Sequence, residues 1–321
     1  MIKKQVLRDK NPNLISIAPM LDYTDVFFRL FFRHISTHTM LYTEMLPTGA
    51  VLHQPSSFLK NQRTRGPLTA QLGGSNPREL AECAYRLEQA GFDGVNLNAG
   101  CPSERVQAGS FGATLMKNPA LIADCYQAMA TKVKIPVSIK TRLGFIGEDL
   151  MEKTDNLTRI LYQAGCRHLI FHARPAALNK SPKENRQNLP LHYDIVYKIK
   201  EKYPDLFITL NGSVLSHETL QTHLQHVDGV MIGRWAYGNP YALCTLDKIY
   251  FDDNHPILKR TEILEQMLPT LQKAPAFLQA VKSMMGLFHG TPYAKKYKNV
   301  LMERNCELLK EFISFLKPLD F

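Results

Sequence analysis

Eight short runs rich in β-branched and other apolar residues alternate with segments of helical period, and this alternation constrains the fold more than any other feature. The runs are Leu14–Ala18, Thr39–Met45, Leu68–Leu72, Gly94–Asn98, Val137–Thr141, Leu169–Ala173, Leu206–Asn211 and Gly229–Gly233. Several, such as FITL and GVMI, are almost continuously apolar, as strands buried on both faces are. Between them, Pro77–Gly91 places Leu80, Ala84, Leu87 and Ala90 at helical spacing and closes on a glycine. Pro119–Lys134 is a second helical segment, and Ser216–His226 opens on a serine suited to cap a helix. Eight such alternations predict an α/β fold, a closed parallel (β/α)8 TIM barrel. An open doubly wound sheet is the alternative. Its glycine-rich fingerprint is missing, because the first strand runs straight into APMLDYTD.

After residue 243 the strand signals stop. Ile257–Phe321 is helical in period, including HPILKR, Glu262–Leu271 and Val300–Leu316. The expected organisation is therefore a barrel over 1–243 and a small helical unit of three or four helices over 244–321. The segment TPYAKKYKNV is its most basic part, with Lys295, Lys296 and Lys298 around Tyr293 and Tyr297. The whole chain of 321 residues carries 39 Lys and Arg against 29 Asp and Glu, a formal charge of +10. That balance favours a polyanionic partner without fixing a fold. At 45% hydrophobic and 21% charged, the composition supplies a large core and excludes wholesale disorder.

None of the six cysteines lies within three residues of another, so there is no C-x-x-C unit for zinc or redox work and no disulfide framework. The stretch MIKKQVLRDKNPNL has basic residues but no apolar segment after them, and no run of about 18 apolar residues follows anywhere. The chain is expected to be cytoplasmic, free of metal and of membrane spans.

Barrel active sites form where the loops at the carboxyl ends of the strands converge. Here those ends read Pro19-Met20, Glu44, Gln71, Asn98 leading to Cys101, Lys140 and Arg142, His172 and Arg174, Asn211-Gly212, and Gly233-Arg234. Polar groups at all eight ends signal a site, though not its reaction. Lys140 lies inside the strand run VSIKT, where a charge needs a partner. A bound anion and an internal carboxylate both answer that need. The glycines of LNGS and IGRWAYGNP follow strands seven and eight, where barrels commonly cradle phosphate with backbone N–H groups. Arg234 adds a charged donor there. His172 suits either a ligand contact or a structural hydrogen bond. Cys101 stands apart from the other cysteines in a barrel-mouth loop before Pro102, placed to act as nucleophile or acid.

The motifs APMLDYTD, LYTEMLPTGA, QLGGS, NLNAGCPSERVQAGSFGATLM, IKTRLG, FHAR, SPKENR, LNGS, DGVMIGR and MGLFHG together resemble the tRNA-dihydrouridine synthases, and among them the A-type enzymes acting at uridines 20 and 20a. The resemblance runs from about Ile17 to Leu301, and NLNAGCPS with the barrel lysine and HAR carries most of its specificity. It implies an oxidoreductase that binds FMN, takes electrons from NADPH and reduces uridine in the D-loop of tRNA to 5,6-dihydrouridine. Hydride would pass from FMN N5 to uracil C6, and Cys101 would give the proton to C5.

By the same resemblance Pro19, Met20 and Leu21 line the flavin, and Gln71 hydrogen-bonds its ring. Lys140 and His172 hold the ring edge, while Asn211, Gly212, Ser213, Gly233 and Arg234 bind the phosphate. Asn98, Arg142 and Arg174 face the substrate, with Lys183 and Arg186 in the loop after strand six and Lys295, Lys296 and Lys298 further along contacting RNA. A monomer is expected. The chain departs from the resemblance where Ser213 replaces a second glycine, Trp235 replaces an acidic residue, and YAKKYKNVL replaces an arginine- and tryptophan-rich stretch. An FMN barrel enzyme acting on a small enone or a free pyrimidine would share the barrel and cradle, but it would need no basic helical appendage.

Overall fold

The computed structural model describes residues 14–54, 56–273 and 277–319. The basic amino-terminal stretch before Leu14 and the last two residues of the predicted carboxyl-terminal helical run lie outside them. The strands are β1 (Ile15–Ile17), β2 (Leu41–Pro47), β3 (Leu68–Gly73), β4 (Gly94–Ala99), β5 (Val137–Arg142), β6 (His168–His172), β7 (Phe207–Asn211) and β8 (Gly229–Ile232). All neighbours pair in parallel, in the order β1-β8-β7-β6-β5-β4-β3-β2. A parallel bridge between Ser16 and Met40, with Ile17 N donating to Met40 O at 2.9 Å, closes the ring between β1 and β2. This is the (β/α)8 barrel the alternation predicts.

The strands close because their side chains have nowhere else to go. β3, β4 and β8 are buried at every position, facing helices outside and one another inside. Ala18, Met40, Tyr42, Ile170 and Met231 form a separate packed cluster, with Met20 against it. Each fully buried aliphatic side chain contributes about 1.5–3 kcal/mol relative to exposure. The predicted helices form as Pro77–Gln89, Pro119–Lys132 and His217–Leu224. Asn76, Asn118 and Ser216 cap them with side-chain acceptors, and Gly91 follows the first at φ +86°.

Two expectations need correction. β2 begins at Leu41 rather than Thr39, because Thr39 N donates to Ser36 Oγ at 3.1 Å and closes a turn. HPILKR is not helical, and the helix begins only at Arg260. Pro256 disfavours helix at the residue before it. Asp253 holds His255 instead, accepting from its backbone N at 3.0 Å and pairing with its ring at 3.1 Å.

Among the described residues only helices, turns and irregular segments follow β8. Arg260–Lys273, Phe277–Lys282, Ala294–Met302 and Cys306–Leu316 pack Ile263, Leu264, Tyr297 and Phe312, with Phe288 from the turn before Ala294, into the same continuous apolar core as the barrel. Gly286 lies so close to the Gly238 carbonyl that an added Cβ would sit 2.8 Å from it. The helical unit therefore buttresses the segment just after Arg234.

Candidate active site

β4 carries the cysteine to the mouth. Asn98 Oδ1 accepts from the backbone N–H of both Gly100 and Cys101, each at 3.0 Å, which folds the chain back just past the strand. Ala113 N donates to Cys101 O at 2.8 Å, and the thiol donates to Ser103 Oγ at 3.5 Å. Gly112 lies under this turn at φ +66°, where a Cβ would sit 2.6 Å from Cys101 O. Cys101 is half-buried, as are Cys244 and Cys306 far from this turn in sequence, whereas Cys83, Cys125 and Cys166 are buried. Burial pushes the Cys83 and Cys166 thiols up to about 12 and Cys125 to about 11, which keeps those three inert.

Beside the turn runs a chain of amides. Asn98 Nδ2 donates to Gln71 Oε1 at 3.0 Å, Gln71 Nε2 to Asn96 Oδ1 at 2.8 Å, and Asn96 Nδ2 to Ser138 Oγ at 2.9 Å. Asn98 and Gln71 are therefore both fixed by partners in the interior; Asn98 also donates to Met45 Sδ at 3.3 Å, which uses all four of its positions, while the Gln71 amide keeps one donor and one acceptor position in reserve. Asn96 belongs to the site and sequence reasoning did not single it out.

The strand next to it brings cations to the mouth, with Lys140 of β5 in register beside Asn98 of β4. Lys140 Nζ donates to Asn211 Oδ1 at 3.2 Å, and Asn211 Nδ2 donates to Met231 O at 2.8 Å. Among the described residues no carboxylate pairs with Lys140. Burial lowers its pKa to about 7; Arg142 pushes it further in that direction and Cys101 opposes the shift. Lys140 keeps some exposure towards the cleft, but the protein around it dominates its electrostatics. Burial holds His172 well below its ordinary pKa, and Arg142, Lys140, Arg174 and Arg186 add to the effect. Its imidazole is therefore neutral and offers a donor rather than a charge.

Arg174 Nη2 donates to Ser213 Oγ at 3.1 Å, which brings Arg174 to the loops after β7 and β8 together with Gly212, Gly233 and Arg234. Gly212 sits at φ +141°, and a Cβ there would lie 2.8 Å from Leu191 Cδ2. Ser213 follows at φ +48°, a left-handed conformation costing a side chain about 1–2 kcal/mol, which explains why glycine suits the position. Nothing lies near a Cβ built on Gly233 except Met20 Sδ at 4.0 Å, so its backbone faces open space. Tyr193 OH donates to Gly212 O at 2.8 Å, a support with no signature in residue type or spacing.

Arg142 is 4% exposed and donates to Gly100 O, Pro175 O and Asn185 O. Pro19 and Met20 are half-buried and Leu21 is exposed; Thr24 Oγ1 accepts from Met20 N at 2.9 Å. Asp22 N donates to Glu44 Oε1 at 2.6 Å, so Glu44 pins the loop that carries Leu21. Burial raises the Glu44 pKa. Lys183 and Arg186 are exposed on the Pro182–Gln187 helix, where Ser181 and Glu184 form a reciprocal cap. Buried Asn185 between them was missed; an asparagine inside so short a helix is itself the signal of side-chain bonding to the local backbone. Lys295, Lys296 and Lys298 are exposed on Ala294–Met302, away from these loops in sequence. Among the described residues no group of three or more His, Cys, Asp or Glu side chains could hold a metal. No helix there is long and apolar enough to cross a membrane.

A closed barrel whose mouth sets a loop cysteine beside Lys140 and Arg142 has the make-up of a barrel oxidoreductase. Residues 16–314 match the model of the dihydrouridine synthase (Dus) family, and the chain belongs to that family. It is 46% identical over 309 residues to a tRNA-dihydrouridine(20/20a) synthase of Shewanella oneidensis, covering 94% of this chain and 92% of that protein. It is 45% identical over 295 residues to the protein of that name from Vibrio parahaemolyticus, with 90% of each covered. The Synechocystis protein of that name is 42% identical over 305 residues, covering 93% of this chain and 91% of its own. A solved structure of a variant of NCR from Zymomonas mobilis shares the fold at TM-score 0.51 and 15% identity, covering 74% of this chain and 86% of the other.

Proposed function

We propose that this chain reduces uridine in the D-loop of tRNA to 5,6-dihydrouridine, at positions 20 and 20a like the relatives of that name, with bound FMN and with NADPH as reductant. The observation that carries the reading is a mouth cysteine beside a half-buried lysine that has no carboxylate partner among the described residues. An anion beside such a lysine would favour its charged form, and the cradle around it suits a phosphorylated flavin. Arg174, Arg234, Ser213 and the backbone of Gly212 and Gly233 would hold the phosphate. Lys140, His172, Gln71 and Asn211 would hold the ring, with Pro19, Met20 and Leu21 along one side.

Bound FMN supplies the hydride chemistry, and the protein supplies orientation and charge. Asn98 fixes the turn that aims the Cys101 thiol, which gives its proton to C5 of the pyrimidine as charge develops on the C4 carbonyl. Lys140 holds positive charge at the ring edge. Neutral His172 donates a hydrogen bond without adding charge that would repel the cation beside it. A uridine inside folded tRNA must be extruded to reach the mouth, at a cost of a few kcal/mol. Lys183, Arg186 and the lysines of Ala294–Met302 offset that cost through phosphate contacts, with residues 244–321 serving as the RNA-docking unit of a cytoplasmic monomer.

The test is to incubate the purified protein with FMN, NADPH and an unmodified tRNA transcript, then map the mass gain of two hydrogens along the RNA. Gain confined to the D-loop uridines is the expected result. Reduction of free uridine at a comparable rate, with tRNA untouched, would replace this reading with a small-molecule reductase.

A further inference from the structure

We infer that Arg142 and Gln107 are positioning residues that strap the cysteine loop to the loop after β6, so that the thiol and the Pro182–Gln187 helix form one rigid body. The inference rests on the proposed role of Cys101 and assigns neither residue a contact with RNA.

The geometry is a pair of bridges between the same two segments. Arg142, at the end of β5, donates through Nε to Gly100 O at 3.0 Å, one residue before the thiol. Through Nη1 it donates to Pro175 O at 2.8 Å and to Asn185 O at 3.4 Å. Gln107 Nε2 donates to both Pro102 O and Leu178 O at 2.9 Å, one residue after the thiol. Cys101 is thus held on each side by a side chain that also grips the segment Pro175–Asn185.

Each bridge is built from groups that would otherwise be costly. Among the described residues Arg142 pairs with no carboxylate, so backbone carbonyls are what satisfy a buried guanidinium. Its planar fork suits several carbonyls at once, which a lysine ammonium on a flexible stem does less well. The Gly100 peptide is clamped from both ends, its N–H on Asn98 and its carbonyl on Arg142. A Cβ on Gly100 would lie 3.0 Å from the Thr141 carbonyl carbon, so this turn lies flat on the end of β5.

The far end is equally fixed. Asn185 Oδ1 accepts from Ala177 N at 2.9 Å, and its Nδ2 donates to Ala177 O at 2.8 Å and Lys180 O at 2.9 Å. Exposed Lys183 and Arg186 flank it on the same short helix. Proton transfer to carbon needs the donor within a few tenths of an ångström of its acceptor, and a 1 Å misplacement costs about a hundredfold in rate. Two straps to one anchored loop supply that precision.

Hydrogen exchange followed by mass spectrometry, on Arg142→Gln, Arg142→Lys and Gln107→Leu, tests the straps without relying on turnover. Exchange should rise at residues 99–104 and at 176–187 together, while β3 and β7 stay protected. In parallel kinetics on the flavin-loaded enzyme, kcat for dihydrouridine formation should fall about tenfold for Arg142→Gln and about threefold for Gln107→Leu. The KM for tRNA should stay within about twofold and the flavin spectrum unchanged, with Arg142→Lys falling between Arg142→Gln and the parent. If Arg142→Gln fails to fold, Gln107→Leu decides alone. A raised KM with unchanged kcat and unchanged exchange would make Arg142 a direct RNA contact and overturn the inference. So would a Gln107→Leu protein that matches the parent in both readouts. Absence of dihydrouridine from the parent itself would sink the function instead, and the exchange result would still report on the straps.

Discussion

The barrel mouth and the Ala294–Met302 helix both present lysines, and they use them in opposite ways. Lys140 is enclosed, its charge answered by one amide oxygen, and burial depresses its pKa to about 7. Lys295 and Lys298 are exposed, while Lys296 Nζ rests 3.9 Å from the centre of the Phe315 ring. A desolvated charge acts at full strength on one ligand in one position. Exposed charges act collectively and are screened within about 10 Å at 0.1 M salt. Substitutions in the mouth should therefore change chemistry or cofactor affinity sharply, and substitutions on the helix should change RNA affinity gradually and with salt.

The comparison breaks most visibly at Cys101. Cys101→Ala should keep its flavin and still oxidise NADPH, yet form dihydrouridine at least about a hundredfold more slowly, as loss of a general acid implies. Product formation at the parent rate would end the assignment. Lys140 comes next. Lys140→Met should weaken FMN binding to flavin-stripped protein by about tenfold or more, read from quenching of flavin fluorescence.

The parent should also show a pH dependence that this variant lacks. With the ligand-free pKa lowered to about 7, an anion that favours charged Lys140 raises that pKa on binding. Affinity is then full below pH 7 and falls as pH rises from 7 towards the pKa of the complex. A flat profile between pH 6 and 9 in the parent would show that Lys140 does not face the bound anion.

The mouth was more legible in the sequence than what holds it. Strands buried on both faces announce themselves as apolar runs, so the places of Gln71, Lys140, His172 and Asn211 towards the carboxyl ends of β3, β5, β6 and β7 could be read directly. The straps could not be read. Arg142 bonds to the carbonyls of Gly100, Pro175 and Asn185, and a backbone acceptor leaves no trace in residue type. Arg174 is expected to face the substrate from its place after β6; its hydrogen bond runs to Ser213 in the loop after β7, a tertiary contact that residue type does not announce. HPILKR read as helix because its apolar and basic residues have helical spacing, while the Asp253–His255 contact that holds it extended is a tertiary choice. Asn185 could have been found, since asparagine between Lys183 and Arg186 is a poor helix former with an evident local alternative.

A smaller effect is expected on the helix. Replacing Lys295, Lys296 and Lys298 together by Ala should raise the KM for tRNA by about three- to tenfold at 0.1 M salt and flatten its salt dependence, with kcat unchanged. Each phosphate contact removed lowers the slope of log affinity against log salt by about 0.9. An unchanged slope would mark these lysines as a solvated face and move RNA docking to Lys183 and Arg186.

The smallest effect falls on the residue between those lysines. Tyr297 occupies a place where the family resemblance suggests tryptophan beside RNA, yet its side chain is fully buried, packed 4.6 Å from Phe288 and donating to Met284 O at 3.0 Å. Burial raises its phenol pKa well above the ordinary value, so it stays neutral and holds that bond. Tyr297→Phe removes the donor and leaves a buried carbonyl short of a partner, a loss of about 1 kcal/mol and about 2 °C in Tm. The KM for tRNA and its salt slope should not move, because the ring faces the core while Lys295 and Lys298 face outwards. A KM raised several-fold at unchanged Tm would mean that this ring leaves the core to stack on a base. The line between an enclosed chemical site and an outer electrostatic face would then run through the helix rather than beside it.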